Sequence, residues 1–421
     1  MTETSSNQVV VLGVGAFMQA LMRILREDGA AVSGYLTRNY AHYGPRSEAS
    51  CLTAAECPNP CPDWASGRPG LLVPMSLEWA LQPWTAEFLT LDLPLLCPTG
   101  EGLRLERERD FARGLCARFG IPFPTAHAVR TRAEAEVLVR RSGQAFVIKN
   151  PLCAPTSPIH TIVCESPEDT LAWLPRLDDS EGIFLQEYLG RREAGHIALV
   201  SAGEIYPLVT NQEYKRAFDG NLGIVAGAPL GGLVEVDPDD RHGLASELLE
   251  PLLPWFRETG FHGPVQVTAI RHDHRWHVLE YNVRLGVTSG PLIARMLENP
   301  LETFRRCARN EPLAPRWRAG RAYGCSLTLA GYGYPFIQTG GPRVPVTLTA
   351  PPDCDLWWQE VADAGDGRLE ATGHRICDVS ATGATLPEAI TRAYANIRRL
   401  RSLGSYYRTD VGETLWPPGS E

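Results

Sequence analysis

The run Trp276-His277-Val278-Leu279-Glu280-Tyr281-Asn282-Val283-Arg284 constrains the fold more than any other part of the chain. Side chains alternate across a β-strand, so Glu280, Asn282 and Arg284 share one face while Leu279, Tyr281 and Val283 share the other. Such a strand lies with its apolar row against a core and its polar row toward a cleft or solvent. A carboxylate and an amide oxygen two positions apart, about 7 Å along the strand, are able to share a hard cation that takes oxygen ligands. Arg284 follows where negative charge would gather. On periodicity alone, a solvated strand face explains the same pattern.

A chain of 421 residues exceeds what one hydrophobic core usually supports, so several subdomains are expected. Val9 to Leu12 is a short buried-strand run, Gly13-Val14-Gly15 a tight turn, and Phe17 to Glu27 a helix. A turn of that kind can hold a phosphate at a helix N-terminus, but two glycines of a GxGxxG pattern also fit an ordinary α/β turn. A second helix is expected from Arg104 to Arg118, ended by Gly120-Ile121-Pro122. Strands are expected at Ala145 to Lys149, Thr161 to Cys164 and Gly182 to Glu187, and Pro312 and Pro315 mark a joint before a β-rich end.

Forty basic against forty-nine acidic residues leave a net charge of -9 with no long basic run, which disfavours a nucleic-acid or anionic-membrane surface. No apolar run approaches the roughly 18 residues of a membrane span, and MTETSSNQ is unlike a signal peptide. Eleven scattered cysteines suit free thiols in a reducing compartment, so the cytoplasm is expected. Cys51, Cys57 and Cys61, near His42, lack a second CxxC pair and read as loop thiols rather than zinc ligands.

Lys149 ends a strand and enters the loop after it, a usual place for a lysine that meets phosphate. At Gln186-Glu187-Tyr188-Leu189-Gly190 a strand runs into a turn, with Glu193 six residues beyond Glu187. Taken singly, each of these signals is as well explained by structure.

In order and spacing, Arg109, Lys149, Gln186-Glu187-Tyr188-Leu189, Glu193 and Glu280-Tyr281-Asn282-Val283-Arg284 resemble the ATP-grasp superfamily. Within it the chain looks most like the glycinamide ribonucleotide synthetase (phosphoribosylamine-glycine ligase) family. That likeness also takes in Leu208 to Arg216, Leu285-Gly286 and Ala330-Gly331-Tyr332-Gly333-Tyr334-Pro335. The resemblance implies a multi-domain α/β (α+β) ATP-grasp fold. Its parts would be a Rossmann-like domain at 1–103, an ATP-grasp domain at 104–320 with subdomains at about 125–187 and 188–320, and a β-rich lobe at 321–421. It implies ATP and Mg²⁺ (or Mn²⁺) as cofactors, and an ADP-forming ligase that joins a small carboxylate to an amine through an acyl-phosphate. Lys149 and Arg109 would contact phosphates, Gln186 and the backbone of Glu187 and Leu189 the adenine, and Glu193 the ribose. Glu280 and Asn282 would hold the metal, and Arg284 would stabilise the transferring phosphoryl group. Gln212, Lys215, Arg216, Gly13 and Gly15 are the substrate candidates, with Arg38 and Arg46 further out.

The resemblance thins away from the nucleotide. The family's glycine- and lysine-rich lid becomes Asn150 to His160, with three prolines and no glycine, leaving the Thr156 and Ser157 hydroxyls as substitute donors. The family's Gly-x-Gly-Gly-Arg-Glu-His turn becomes Gly13 to Gln19 without its charges, a glycine-proline-glutamate loop becomes Val73-Pro74-Met75, and the family's glycine-rich stretch becomes Gly223 to Pro229. Gln266, expected near Glu280 in a hairpin, is neutral where many ATP-grasp enzymes place a carboxylate. The expectation is a monomeric or homodimeric ligase with altered substrates. A true glycinamide ribonucleotide synthetase, a non-catalytic ATP-binding relative and, from Gly13-Val14-Gly15 alone, a dinucleotide oxidoreductase are the alternatives.

Overall fold

In the computed structural model the residues described are 7–13, 15–37, 50–154, 157–335, 343–365 and 367–413. The first sheet is parallel, in the order Cys51–Thr53, Ala31–Leu36, Gln8–Gly13, Leu71–Pro74. Val9 to Leu12 is apolar throughout because both faces are covered. Val10 and Leu12 join a core with Trp64 and Trp79, whereas Val9 and Val11 join another with Leu21 and Leu25. The helix expected from Phe17 begins as a 3-10 turn at Gly15–Met18 and is α-helical over Gln19–Glu27. Gly15 has φ +63°, and a methyl on Gly13 would meet Met18 Cγ and Met75 Cβ at 3.1 Å, so backbone and packing both demand the glycines.

The helix expected from Arg104 to Arg118 is two helices, Arg104–Arg107 and Arg109–Arg118. Between them Glu108 is extended (φ -119°, ψ 103°) and forms a β-bridge with Leu152. Periodicity does not register the break because Leu105, Ala112 and Leu115 still face one core. The break has a use. It places Arg109 at the start of the second helix, where its N–H donates to Pro151 O at 3.2 Å and its Nε to Asn150 O at 2.9 Å.

A small antiparallel sheet follows, in the order Ala126–Val129, Ile183–Glu187, Phe146–Lys149, Ile162–Val163. It has a core of its own, in which Phe146, Ile148 and Leu185 pack under Ala135 and Val139 of the helix Arg132–Ser142. Thr131 caps that helix by accepting from Glu134 N, and Gly143 ends it in the left-handed region at φ 66°.

The largest sheet runs Arg275–Asn282, Gly263–His272, Glu193–Ser201, Glu204–Tyr214, Gly231–Val236, Tyr323–Gly331, Arg375–Gly383, Asp355–Trp358. It passes without interruption across residue 320. The helix Leu386–Ile397 packs on the strands Tyr323–Gly331 and Arg375–Gly383, and a four-stranded sheet containing Val344–Leu348 completes a β-rich C-terminal lobe. Among the described residues no disulfide joins two cysteines. Among the described residues, no helix is long and apolar enough to cross a membrane.

Candidate active site

The hairpin of Gly263–His272 and Arg275–Asn282 pairs Gln266 with Asn282 and Thr268 with Glu280, then shifts register so that Ala269 faces Val278. Leu279 is the residue left over, a β-bulge. The bulge corrects the strict alternation expected of this strand. Val278, Tyr281 and Val283 enter the core, whereas Leu279 lines the cleft beside Glu280, Asn282 and Arg284. It also turns the Leu279 carbonyl toward the small sheet, where it accepts Lys149 Nζ at 3.1 Å and Gln186 Nε2 at 3.3 Å.

Between the small and large sheets lies a cleft of about 450 Å³. Its walls carry Arg109, Lys149, Gln186, Glu187, Leu189 and Glu193 from the nucleotide set, and Lys215, Arg216, Glu280, Asn282 and Arg284 from the metal and substrate sets. Three of the substrate candidates are not part of it. Gly13 and Gly15 serve the N-terminal turn, and Gln212 is buried with its Nε2 on Glu193 O at 3.0 Å. Gln212 pairs with Leu233 and Glu213 with Gly232, so alternation sends Gln212 to the face opposite the cleft and brings Glu213 into it. Glu213 was legible from its spacing to Lys215, two residues on. Arg38, Arg46, Thr156 and His42 lie outside the described residues.

The cleft is densely charged. Lys215 Nζ stands 3.2 Å from Glu193 Oε2, 3.2 Å from Glu280 Oε1 and 3.7 Å from Glu213 Oε2. Burial pushes the Glu280 carboxyl up, but the ammonium groups of Lys215 and Lys149 and the Arg109 guanidinium, 3.7 Å away, overrule it and hold Glu280 ionised. Burial, then the charge of Arg109, pulls the Lys149 ammonium down to about 8. Burial also raises the Glu213 carboxyl, with Lys215 opposing it.

Two carboxylates that the sequence does not single out position cations here. Glu106 Oε1 lies 3.2 Å from Arg284 Nε while its Oε2 accepts Val283 N at 2.7 Å, which locks Arg284 against the cleft wall. Glu165 takes Arg216 Nη2 at 2.8 Å and also pairs with Arg191. No local signal marks either, because each acts on a residue distant in sequence.

Ser157, expected to offer its hydroxyl to phosphate, instead donates it to Leu152 O at 2.9 Å and accepts Ala154 N, folding its own loop. Among the described residues one group of metal-type side chains stands away from the cleft, His196, Asp237 and Asp240, and its carboxylates are already engaged. Asp237 accepts Thr210 Oγ1 at 2.7 Å and Arg241 N at 2.9 Å, and Asp240 accepts Ala245 N and Ser246 N at 2.9 and 2.8 Å. Cys57 and Cys61 point their thiols at separate carbonyls, those of Asn59 and Trp84.

Residues 107–288 match the family model "Phosphoribosylglycinamide synthetase, ATP-grasp (A) domain". The chain is 26% identical over 419 residues to the phosphoribosylamine-glycine ligase of Streptomyces coelicolor, covering 96% of this chain and 98% of that protein. It is 30% identical over 331 residues to that of Leifsonia xyli subsp. xyli, covering 76% and 78%. Among solved structures, phosphoribosylamine-glycine ligase from Thermotoga maritima shares the fold with a TM-score of 0.73 at 23% identity, over 96% of this chain and 99% of that one. The chain therefore belongs to the phosphoribosylamine-glycine ligase family and is an ADP-forming carbon-nitrogen ligase with a multi-domain α/β ATP-grasp fold.

Proposed function

We propose that the chain joins a carboxylate to an amine in two steps within this cleft. A carboxylate oxygen attacks the γ-phosphorus of ATP and ADP leaves, giving an acyl-phosphate. The amine then attacks the acyl carbon, phosphate leaves and the nitrogen loses a proton, giving the amide. The observation that carries this reading is the meeting of Lys149 with the strand of Glu280 and Asn282, its Nζ 3.1 Å from Leu279 O, with Arg284 on the same wall.

Gln186 and the backbone of Glu187 and Leu189 would read the adenine edge, and Glu193 would accept the ribose hydroxyls. Gln186 fits that role because its Nε2 is spent on Leu279 O, while its buried Oε1 has no partner and awaits a donor. Glu280 and Asn282 would hold Mg²⁺ (or Mn²⁺), a hard ion suited by an all-oxygen donor set with Gln266 opposite. The bound ion would neutralise triphosphate charge. Arg109, Lys149 and Arg284 would stabilise the phosphoryl group in flight, and the small sheet closing on the large one would shield the acyl-phosphate from water. Lys215 and Arg216 stand on the substrate side. The working units would be the segments 1–103, 104–320 (with subdomains at about 125–187 and 188–320) and 321–421, in a monomer or homodimer.

We propose further that the substrates differ from those in the relatives' names. In support, the Gly13 turn is closed by Met18 and Met75 and carries no charged side chain up to Gln19. A second reading, glycine with phosphoribosylamine, is favoured by the similarity over 96% of the chain. ADP release with glycine plus phosphoribosylamine, then with other amino acids and amines, separates them. The ligase reading expects turnover that Glu280→Ala abolishes. Tight ATP binding with no turnover for any pair would sink it.

A further inference from the structure

The cleft has a second rim, away from the strand of Glu280 and Asn282. On one side stand His160, Thr161 and Val163, at the edge strand Ile162–Val163 of the small sheet, and on the other Asn221, Ile224 and Val225. The latter three belong to a hairpin, Arg216–Phe218 with Leu222–Val225, that forms a two-stranded sheet of its own and packs beside Ile162–Val163. The hairpin is held from behind by the C-terminal lobe, where Gly220 N donates to Asp410 Oδ2 at 3.0 Å and Arg408 Nη1 to Arg216 O at 3.1 Å. The small sheet, by contrast, has a separate core and is built to move as a unit. The chain leaves it through Tyr188 to Arg192, where Gly190 has φ +139°, a conformation that glycine adopts at little cost, so this link serves as a hinge.

Glu165 spans that rim. It follows the edge strand directly, pinned between Cys164, which is buried in the small core, and Ser166, whose hydroxyl caps the helix Pro167–Trp173 by accepting Asp169 N at 3.0 Å. Its Oε1 accepts Arg216 Nη2 of the hairpin at 2.8 Å, and its Oε2 accepts Arg191 Nε of the hinge at 3.0 Å. Arg216 keeps its Nη1 on Gly223 O at 3.0 Å, so the hairpin itself aims the guanidinium across the gap. One carboxylate on the small sheet thus holds the fixed hairpin and the hinge together. Swinging the small sheet away breaks both ion pairs.

We propose that Glu165 is the latch of the cleft, a positioning residue that acts through Arg216 and Arg191 to set how fast nucleotide enters and leaves. The latch rests on the ligase reading, since it needs the nucleotide to lie in this cleft. Neither pair involves a residue of the nucleotide set, so both stabilise the closed cleft equally with and without nucleotide. Entry and exit are then slowed alike, and the dissociation constant stays the same, because a ligand's affinity changes only through a difference between the two states. A latched rim also keeps water from an acyl-phosphate while the amine approaches.

The test uses the full chain with Mg²⁺ and β,γ-imido-ATP, its binding followed by surface plasmon resonance. Glu165→Gln, which loses both pairs, should raise the association and dissociation rate constants about tenfold each, and Arg191→Gln, which loses one, about threefold, the scale of partly exposed ion pairs. The dissociation constant should stay within about twofold of wild type in both. The two variants change the net charge in opposite directions, so a plain charge effect on an anionic ligand speeds association in one and slows it in the other. Arg191→Gln also keeps the question answerable if Glu165→Gln fails to fold. Rates that follow the charge in this way, or rates unchanged in both variants, overturn the latch and leave the ligase reading standing. A wild type that does not bind the analogue overturns the ligase reading and the latch with it.

Discussion

Lys215 Nζ donates to Glu280 Oε1 across 3.2 Å, so an ammonium group of the chain itself neutralises a carboxylate proposed to hold the metal. The same ammonium reaches Glu193 at 3.2 Å. Lys215→Met should leave Glu193, Glu213 and Glu280 repelling one another. Fully buried pairs lose about 3–5 kcal/mol when one partner goes. With side chains 20% and 28% exposed, this one should lose less, about 2 kcal/mol in urea unfolding. Turnover should fall on the order of a hundredfold, the scale of losing one electrostatic contact to a reacting group. Unchanged stability and turnover would show that the cation is dispensable.

Lys149 sets a pH limit. A lysine is charged below its pKa, and burial together with Arg109 and Lys215 brings this one down to about 8 against the upward pull of Glu280 and Glu193. The charged form is the one that meets phosphate. kcat/KM for ATP, which follows the free enzyme, should therefore be level below pH 8 and fall as pH rises through it. Lys149→Arg, which stays charged, should flatten that limb even if its activity is lower. A wild-type profile level to pH 10 would contradict the assignment.

Gln186 should act on base selection rather than on stability. Its Oε1 is buried without a partner, so Gln186→Met removes an unsatisfied acceptor and should unfold within about 1 kcal/mol of wild type. If Oε1 receives the adenine amino group, ATP affinity should drop roughly tenfold and the preference for ATP over GTP should narrow, read by calorimetry.

Gly13→Ala separates a structural glycine from a ligand-binding one. The added methyl meets Met18 and Met75 at 3.1 Å, so thermal unfolding should reveal a loss of about 1–3 kcal/mol. Nucleotide affinity of the folded fraction should not change. A variant as stable as wild type but defective in ATP binding would return the turn to the nucleotide.

His196 predicts acid sensitivity away from the cleft. Burial holds its imidazole well below the ordinary 6.5, against the pull of Asp240 and Asp237. In the unfolded chain it takes up a proton near 6.5, so between that pH and its lower folded value the unfolded state binds more protons. The stabilisation is present above pH 6.5 and is lost as pH falls below it. His196→Gln should remove this part of the pH dependence of unfolding.

Alternation along a strand is local geometry, and it was enough to set Glu280, Asn282 and Arg284 against the apolar residues Tyr281 and Val283. The buried run Val9 to Leu12 and its glycine turn were legible for the same reason, since each depends on neighbours a few positions away. What local pattern could not supply came from pairing between distant segments. The bulge at Leu279 depends on register with the strand Gly263–His272, and it turned Leu279 toward the cleft. The break at Glu108 depends on a bridge to Leu152, and Glu106 acts on Arg284 from that same broken helix. Gln212 and Glu213 lie between these cases, because alternation with Lys215 separates them but only the assembled sheet says which face meets the cleft. By itself the sequence determined which residues share a strand and a face. The tertiary structure decided which faces meet, because that choice is made by contacts between segments that no local period encodes.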